Sequence, residues 1–219
     1  MTNIVLWGAT TSRTIRAHWA LRELGLAYHC EPILPRNGDT KTARFTAINP
    51  RQKIPALADD GFVITESAAI IVYLSATYGS DATRLVPTET RERARYDEWA
   101  TFIMAELDAT SLYVVRRHLG LPEIYGAAPV AVDAAFAYFQ RQVASVAATL
   151  DDGRAWLMGE RFTGADILLT TCLTWAARLE QPLAPSLEAY RDRAIARPAY
   201  IAAEAANHPG FWAKGNPAP

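Results

Sequence analysis

Cysteine is scarce in this chain, which has two in 219 residues, Cys30 and Cys172. They stand far apart and fit no disulfide or metal spacing, so a disulfide scaffold is excluded and a reducing compartment, the cytoplasm, is expected. Both read as small buried apolar residues. The four histidines, His18, His29, His118 and His208, show no ligand-type spacing either, and no metal is expected. Net charge is also nearly missing. With 22 basic and 23 acidic residues the balance is −1, which leaves no general field to draw nucleic acid or an anionic membrane. Long hydrophobic runs are absent: the longest, Ala68 to Leu74, is far too short to cross a bilayer. The N-terminus lacks the basic stretch and apolar run of a secretory leader. No internal repeat or low-complexity segment is visible.

Half of the residues are hydrophobic, enough for one large or two small domains with a sizeable core. Ile4-Val5-Leu6-Trp7 reads as a buried strand, Gly8 to Ser12 as a polar loop, and Thr14 to Leu24 as a helix ended by Gly25. Tyr28 to Ile33 can form a second strand. Ile54-Pro55-Ala56-Leu57 then runs into an Asp-Gly turn and a further strand-like run, and Glu66-Ser67 opens the apolar helix Ala68 to Leu74. The order βαβ then ββα describes a small mixed α/β sheet flanked by helices. Residues 80–88 are polar, with Pro, and suit a linker between a first domain at 1–79 and a second at 89–219. Beyond them strand signals vanish. Helical patterns over 89–118, 129–150, 163–179 and 186–196 predict an all-α second domain. Thr163 and Asp166 fit a capping box at the start of one of these helices, a structural role.

The segment 52–67 carries the strongest ligand signal. Proline removes a ladder donor, so Pro55 suits a strand start or edge and leaves the backbone of Ile54 free to pair with an extended peptide. Ser67, at a helix start, joins a hydroxyl to unpaired N–H groups, an anion site suited to a carboxylate. Glu66 can hold an ammonium group, and Lys53 a second carboxylate some way off. The matching ligand is a short zwitterionic peptide with two acidic ends. Taken singly, each residue also has a plainer use as strand boundary, solvated charge or cap.

Asn49-Pro50-Arg51-Gln52-Lys53-Ile54-Pro55-Ala56-Leu57 followed by Thr65-Glu66-Ser67-Ala68-Ala69-Ile70 resembles the glutathione-binding segment of the cytosolic glutathione S-transferase superfamily. The resemblance implies a thioredoxin-like first domain followed by the helical one. It also implies a cis bond before Pro55, pairing of Ile54 with the cysteinyl unit, and Glu66 and Ser67 on the γ-glutamyl end, with Gln52, Lys53 and Pro55 completing the site. Glutathione would be the co-substrate, a hydrophobic electrophile its partner, and the assembly a homodimer; no metal is implied. Gln52 departs from the glycine that many members carry, which should alter the loop more than the chemistry. The motif at Thr163 to Asp166 matches the family's helical domain, so the likeness runs over about residues 3–200.

In a thioredoxin-like domain the reactive chemistry sits where the first strand meets the first helix, here Gly8-Ala9-Thr10-Thr11-Ser12-Arg13. The loop has three hydroxyls and no cysteine, which excludes a protein dithiol there. The thiol must come from the ligand. A hydroxyl at a helix N-terminus can donate to a thiolate while the dipole lowers the thiol pKa. Ser12 is the choice, because Ser12 followed by Arg16 resembles the serine-type, bacterial-like members; Thr10 and Thr11 are rivals, and Ser12 as a mere cap is the other reading. Trp7 stands near the position of the family's catalytic tyrosine, which argues against tyrosine activation. Ala9, Met104, Leu107, Ser111, Leu112 and Val115 could line an electrophile pocket, although helical stripes of this kind are also core. Arg116, Arg117 and His118 suit a helix C-terminus. Phe211 and Trp212 could line a pocket or cover the core. The expected activity is conjugation of the glutathione thiolate to hydrophobic electrophiles; the same chemistry would also serve a disulfide or peroxide reductase, and a non-catalytic glutathione-binding module is the third reading.

Overall fold

The order of the first elements is β1 (Ile4–Trp7), α1 (Thr14–Glu23), β2 (His29–Glu31), α2 (Ala43–Ile48), β3 (Ala56–Asp59), β4 (Phe62–Thr65) and α3 (Ser67–Tyr78) in a computed structural model that describes residues 3–209. The chain divides into two units, Met1–Val86 with the segment from Ile195 onward, and Pro87–Ala194. The expected linker at 80–88 contains the first division. Among the described residues, those from Ile195 onward group with the first unit, whereas the expected second domain spans 89–219. The cause is α10 (Pro198–Asn207), which packs on α1: Tyr200 meets Trp19 edge-on at 4.8 Å, and Arg197 grips Glu23 with two bonds of 2.6 and 2.7 Å.

The described strands of the first unit form one sheet in the order β2-β1-β3-β4, with β1 parallel to β2 and antiparallel to β3, and β3 antiparallel to β4. This is the thioredoxin-like arrangement. The Asp60-Gly61 turn has φ of 46° and 91°, the doubly left-handed geometry that two-residue hairpins favour. One row of the register, Trp7 opposite Ala56 opposite Thr65, marks the sheet end from which the β1–α1 and β4–α3 connections leave. Trp7, Phe45 and Ala56 form a core with Val5, Ile33, Ile48 and Ile54 packed on it, and α1 buries Ile15, Ala17, Trp19, Ala20 and Leu21. Strand β2 is shorter than expected, and β3 begins two residues later than expected, at Ala56. Neither α2 nor α10 is foreseen by the sequence reading, and α3 runs on to Tyr78.

In the second unit α4 (Thr90–Phe102) is capped by the Glu89 carboxylate, which accepts from the N–H groups of Arg91 and Glu92. The helix expected over 89–118 is unbroken but not α throughout. Ile103–Leu112 is π-helical, and the Ser111 hydroxyl donates at 2.6 Å to the carbonyl of Glu106, five residues back. It continues as α5 (Tyr113–His118), followed by the short α6 (Pro122–Tyr125), then α7 (Pro129–Leu150), α8 (Gly164–Arg178) and α9 (Pro185–Ile195). The capping box forms: the buried Asp166 carboxylate accepts from the Thr163 N–H and hydroxyl, the Leu157 N–H and the Tyr190 hydroxyl. No described helix is long and apolar enough to cross a membrane. Phe211 and Trp212 lie outside the described residues.

Candidate active site

Gly8 lets two loops meet. Its φ is +116°, and a Cβ there would stand 2.6 Å from Cβ of Ile54 and 3.0 Å from Cγ2 of Thr14, so only glycine allows this approach. The chain leaves the sheet with Gly8 and Ala9 donating to the carbonyls of Glu31 and Ile33. Thr10 is left-handed at φ 64°, a conformation that costs a non-glycine residue on the order of 1 kcal/mol. Its N–H donates to the Asn207 carbonyl at 2.8 Å.

Thr11 is the cap of α1. Its hydroxyl accepts from the N–H of Thr14 at 3.0 Å and of Arg13 at 3.3 Å, and the Thr14 hydroxyl accepts in return from the Thr11 N–H at 3.0 Å. Ser12 is half-buried, and neither its hydroxyl nor its N–H has a hydrogen-bond partner among the described residues. The hydroxyl of exposed Thr10 has none either. A helix start with its cap satisfied and a second hydroxyl left over can receive an anion.

His18 supports this loop from within α1. Nε2 lies 3.3 Å from the Gly8 carbonyl and Nδ1 2.7 Å from the Tyr28 hydroxyl. Burial holds its pKa down at about 4, so the imidazole is neutral near pH 7. A carbonyl can only accept; Nε2 therefore carries the proton and Nδ1 accepts from Tyr28.

At the facing loop, buried Asn49 donates to the Lys53 carbonyl at 2.7 Å and accepts from the Arg51 N–H at 3.1 Å. Gln52 is left-handed at φ 53°, a conformation that favours glycine, and its amide donates to the Thr46 hydroxyl at 3.2 Å. The Ile54–Pro55 peptide is cis. Pro55 is buried, Lys53 is exposed, and the N–H and carbonyl of Ile54 are unpaired among the described residues. Glu66, exposed and left-handed at φ 66°, gives its carbonyl to the Ile70 N–H, leaving the N–H groups of Ser67, Ala68 and Ala69 at the open start of α3. Ser67 is buried there, its hydroxyl unpartnered among the described residues.

The register row Trp7–Ala56–Thr65 thus brings the start of α1, the Ile54 backbone and the start of α3 to one end of one sheet. The expected pocket residues fare differently. Leu107, Ser111, Leu112 and Val115 are buried, Val115 against Val132 and Ala135, and Ala9 is buried in the first unit; Met104 is half-buried. Cys172 is buried as expected, but Cys30 is only half-buried, its thiol pKa raised by burial. No cluster of His, Cys, Asp or Glu among the described residues could hold a metal. Sequence reasoning missed His18 and Asn207. Asn207 lies 193 positions from its partner Thr14, beyond the reach of any local pattern.

Residues 12–77 match the family model described as glutathione S-transferase, N-terminal domain, and residues 102–198 match that of the C-terminal domain. The chain is similar to glutathione S-transferase 3 of Zea mays, at 30% identity over 91% of this chain and 92% of the relative. Among solved structures it is similar to a glutathione transferase of Methylococcus capsulatus, with 32% identity, coverage of 93% and 98%, and a TM-score of 0.79. A theta-class glutathione S-transferase of Xanthomonas axonopodis pv. citri, solved with glutathione bound, gives 30% identity, coverage of 91% and 96%, and a TM-score of 0.77.

Proposed function

This chain belongs to the glutathione S-transferase family, and from that premise we propose that it ionises the glutathione thiol at the start of α1 and transfers the tripeptide to a hydrophobic electrophile. It is a transferase with glutathione as co-substrate. In this reading the γ-glutamyl carboxylate sits on the Ser67 hydroxyl and the open N–H groups of α3, and its ammonium on Glu66. The cysteinyl unit pairs with the free N–H and carbonyl of Ile54, as an added strand would. Lys53, exposed beside it, takes the glycyl carboxylate, with Gln52 and Pro55 shaping the loop.

One observation carries the assignment of Ser12: Thr11 does the capping, which leaves the Ser12 hydroxyl free to donate to a thiolate. The thiol proton leaves to solvent. The sulfur then attacks the electrophilic carbon, a C–S bond forms, and the bond to the leaving group breaks with its electron pair going to that group. Two pKa units of thiol activation amount to about 2.7 kcal/mol, while a hydrogen bond to a charged group supplies about 1.5–3 and a helix terminus about 0.3–2. Together the two suffice, and no cysteine is required.

Cytoplasmic placement and a twofold homodimer belong to the same proposal. Two free cysteines support the first, and Phe62 and Val63, exposed on the edge strand β4, support a partner-facing surface. Parallel assays with an aryl halide and a glutathione-capped disulfide test the reaction class. Conjugation of the aryl halide is expected. Reduction of the disulfide without conjugation, or tight glutathione binding with neither activity, would contradict the proposal.

A further inference from the structure

Asn207, the last residue of α10, is fully buried and makes three contacts with the β1–α1 loop. Its carbonyl accepts from the Thr10 N–H at 2.8 Å, its Oδ1 accepts from the Thr14 hydroxyl at 2.6 Å, and its Nδ2 donates to the Thr11 carbonyl at 3.4 Å. These contacts bracket Ser12. The Thr10 contact holds a left-handed residue that would otherwise relax, and the Thr14 contact fixes the hydroxyl that accepts from the Thr11 N–H. The carbonyl of a final helical residue has no partner within its helix, so the loop also satisfies a group that burial would leave orphaned. Nothing of Asn207 is left over to touch a ligand, because each of its polar groups faces the protein.

We propose that Asn207 is a positioning residue for thiol activation: α10 folds back on α1 so that one buried amide sets the angle at which the Ser12 hydroxyl meets the glutathione sulfur. It acts through the loop and never on the substrate. The inference rests on the thiolate site proposed at the start of α1. Titratable groups close to Asn207 include His208, whose Nδ1 lies 3.4 Å from the Asn207 amide, and Glu204, 3.3 Å from that imidazole, while His18 bonds the Gly8 carbonyl at the start of the same loop.

The test is the ultraviolet titration of bound thiolate in Asn207→Ala, beside turnover at pH 7 and pH 9. Asn207→Ala should raise the thiol pKa by about one unit and lower turnover at pH 7 by up to about tenfold, with recovery near pH 9. The KM for glutathione should change by less than about threefold, because the tripeptide's own contacts are left in place. Adding Ser12→Ala should cause no further loss. A folded Asn207→Ala protein with the wild-type titration, or with equal losses at both pH values, overturns the proposal. Should Asn207→Ala fail to fold, Asn207→Asp keeps the size and the acceptor for Thr14 but loses the donor to Thr11; an unmoved titration there overturns it equally. The two readings separate cleanly. A shift in Ser12→Ala alone keeps Ser12 as the donor and removes Asn207, whereas a shift in Asn207→Ala but not in Ser12→Ala removes Ser12 as the donor and with it the action of Asn207 through that hydroxyl.

Discussion

Ser12, His18 and Glu66 each illustrate what a single side chain does when its neighbours have settled its options. Thr11 has taken the cap, so Ser12 is spare. His18 is buried and neutral, its pKa held at about 4 chiefly by desolvation, with the charges of Arg22 and His208 acting in the same direction. Between its unfolded pKa near 6.5 and that value the unfolded chain binds the extra proton, so stability is full above pH 6.5 and falls as the pH drops toward 4. The loss should reach about 3 kcal/mol, and the urea midpoint followed against pH measures it; His18→Gln should flatten this part of the profile. Glu66 is exposed and left-handed beside the open end of α3, a costly conformation where it could meet an ammonium group. Glu66→Ala should weaken glutathione binding by about 1–3 kcal/mol in calorimetry, and unchanged affinity would remove it from the site.

Elements whose reasons are local could be read from the sequence. The Asp60-Gly61 hairpin, the apolar start of α3 and the Thr163–Asp166 cap each lie within a few residues of their cause, and each is found, while Pro55 stands just before β3, an inner strand of the sheet. The long patterns of α7 and α8 were legible for the same reason. What escaped depends on distant partners. Helix α10 matters through Tyr200 on Trp19 and Asn207 on Thr14, and α2 is six residues held by Phe45 in the Trp7 core. The π-helical stretch kept a helical pattern in sequence while its hydrogen bonds changed. In the site, the hydroxyl loop and the 52–67 segment were visible as types and order, but which hydroxyl is spare was not, since that follows from the bonds of Thr11. Asp166 makes the strongest element-level prediction. It joins α8 to α9 and to the chain at Leu157, so Asp166→Ala should cost about 2–4 kcal/mol by leaving four donors unmet. Thermal unfolding checks it; a loss under 1 kcal/mol would show that water replaces the carboxylate.

The whole molecule joins an α/β unit that carries every glutathione contact proposed here to an all-α unit, with the chain returning to the first through α10. With a chain mass of 24.1 kDa, light scattering at micromolar concentration should find a species of twice that mass, and a purely monomeric protein would refute the dimer. The proposed chemistry uses the thiol of glutathione, since the loop between β1 and α1 holds no cysteine. The most direct test is therefore the ultraviolet titration of glutathione bound to the wild-type protein and to Ser12→Ala. A free thiol near pKa 8.5 is only a few per cent ionised at pH 7; bound to the wild-type protein it should titrate about two units lower, and Ser12→Ala should move it back by about one unit with little change in affinity. A bound thiol that titrates as it does free in solution, or one lowered equally in both proteins, would contradict activation by Ser12.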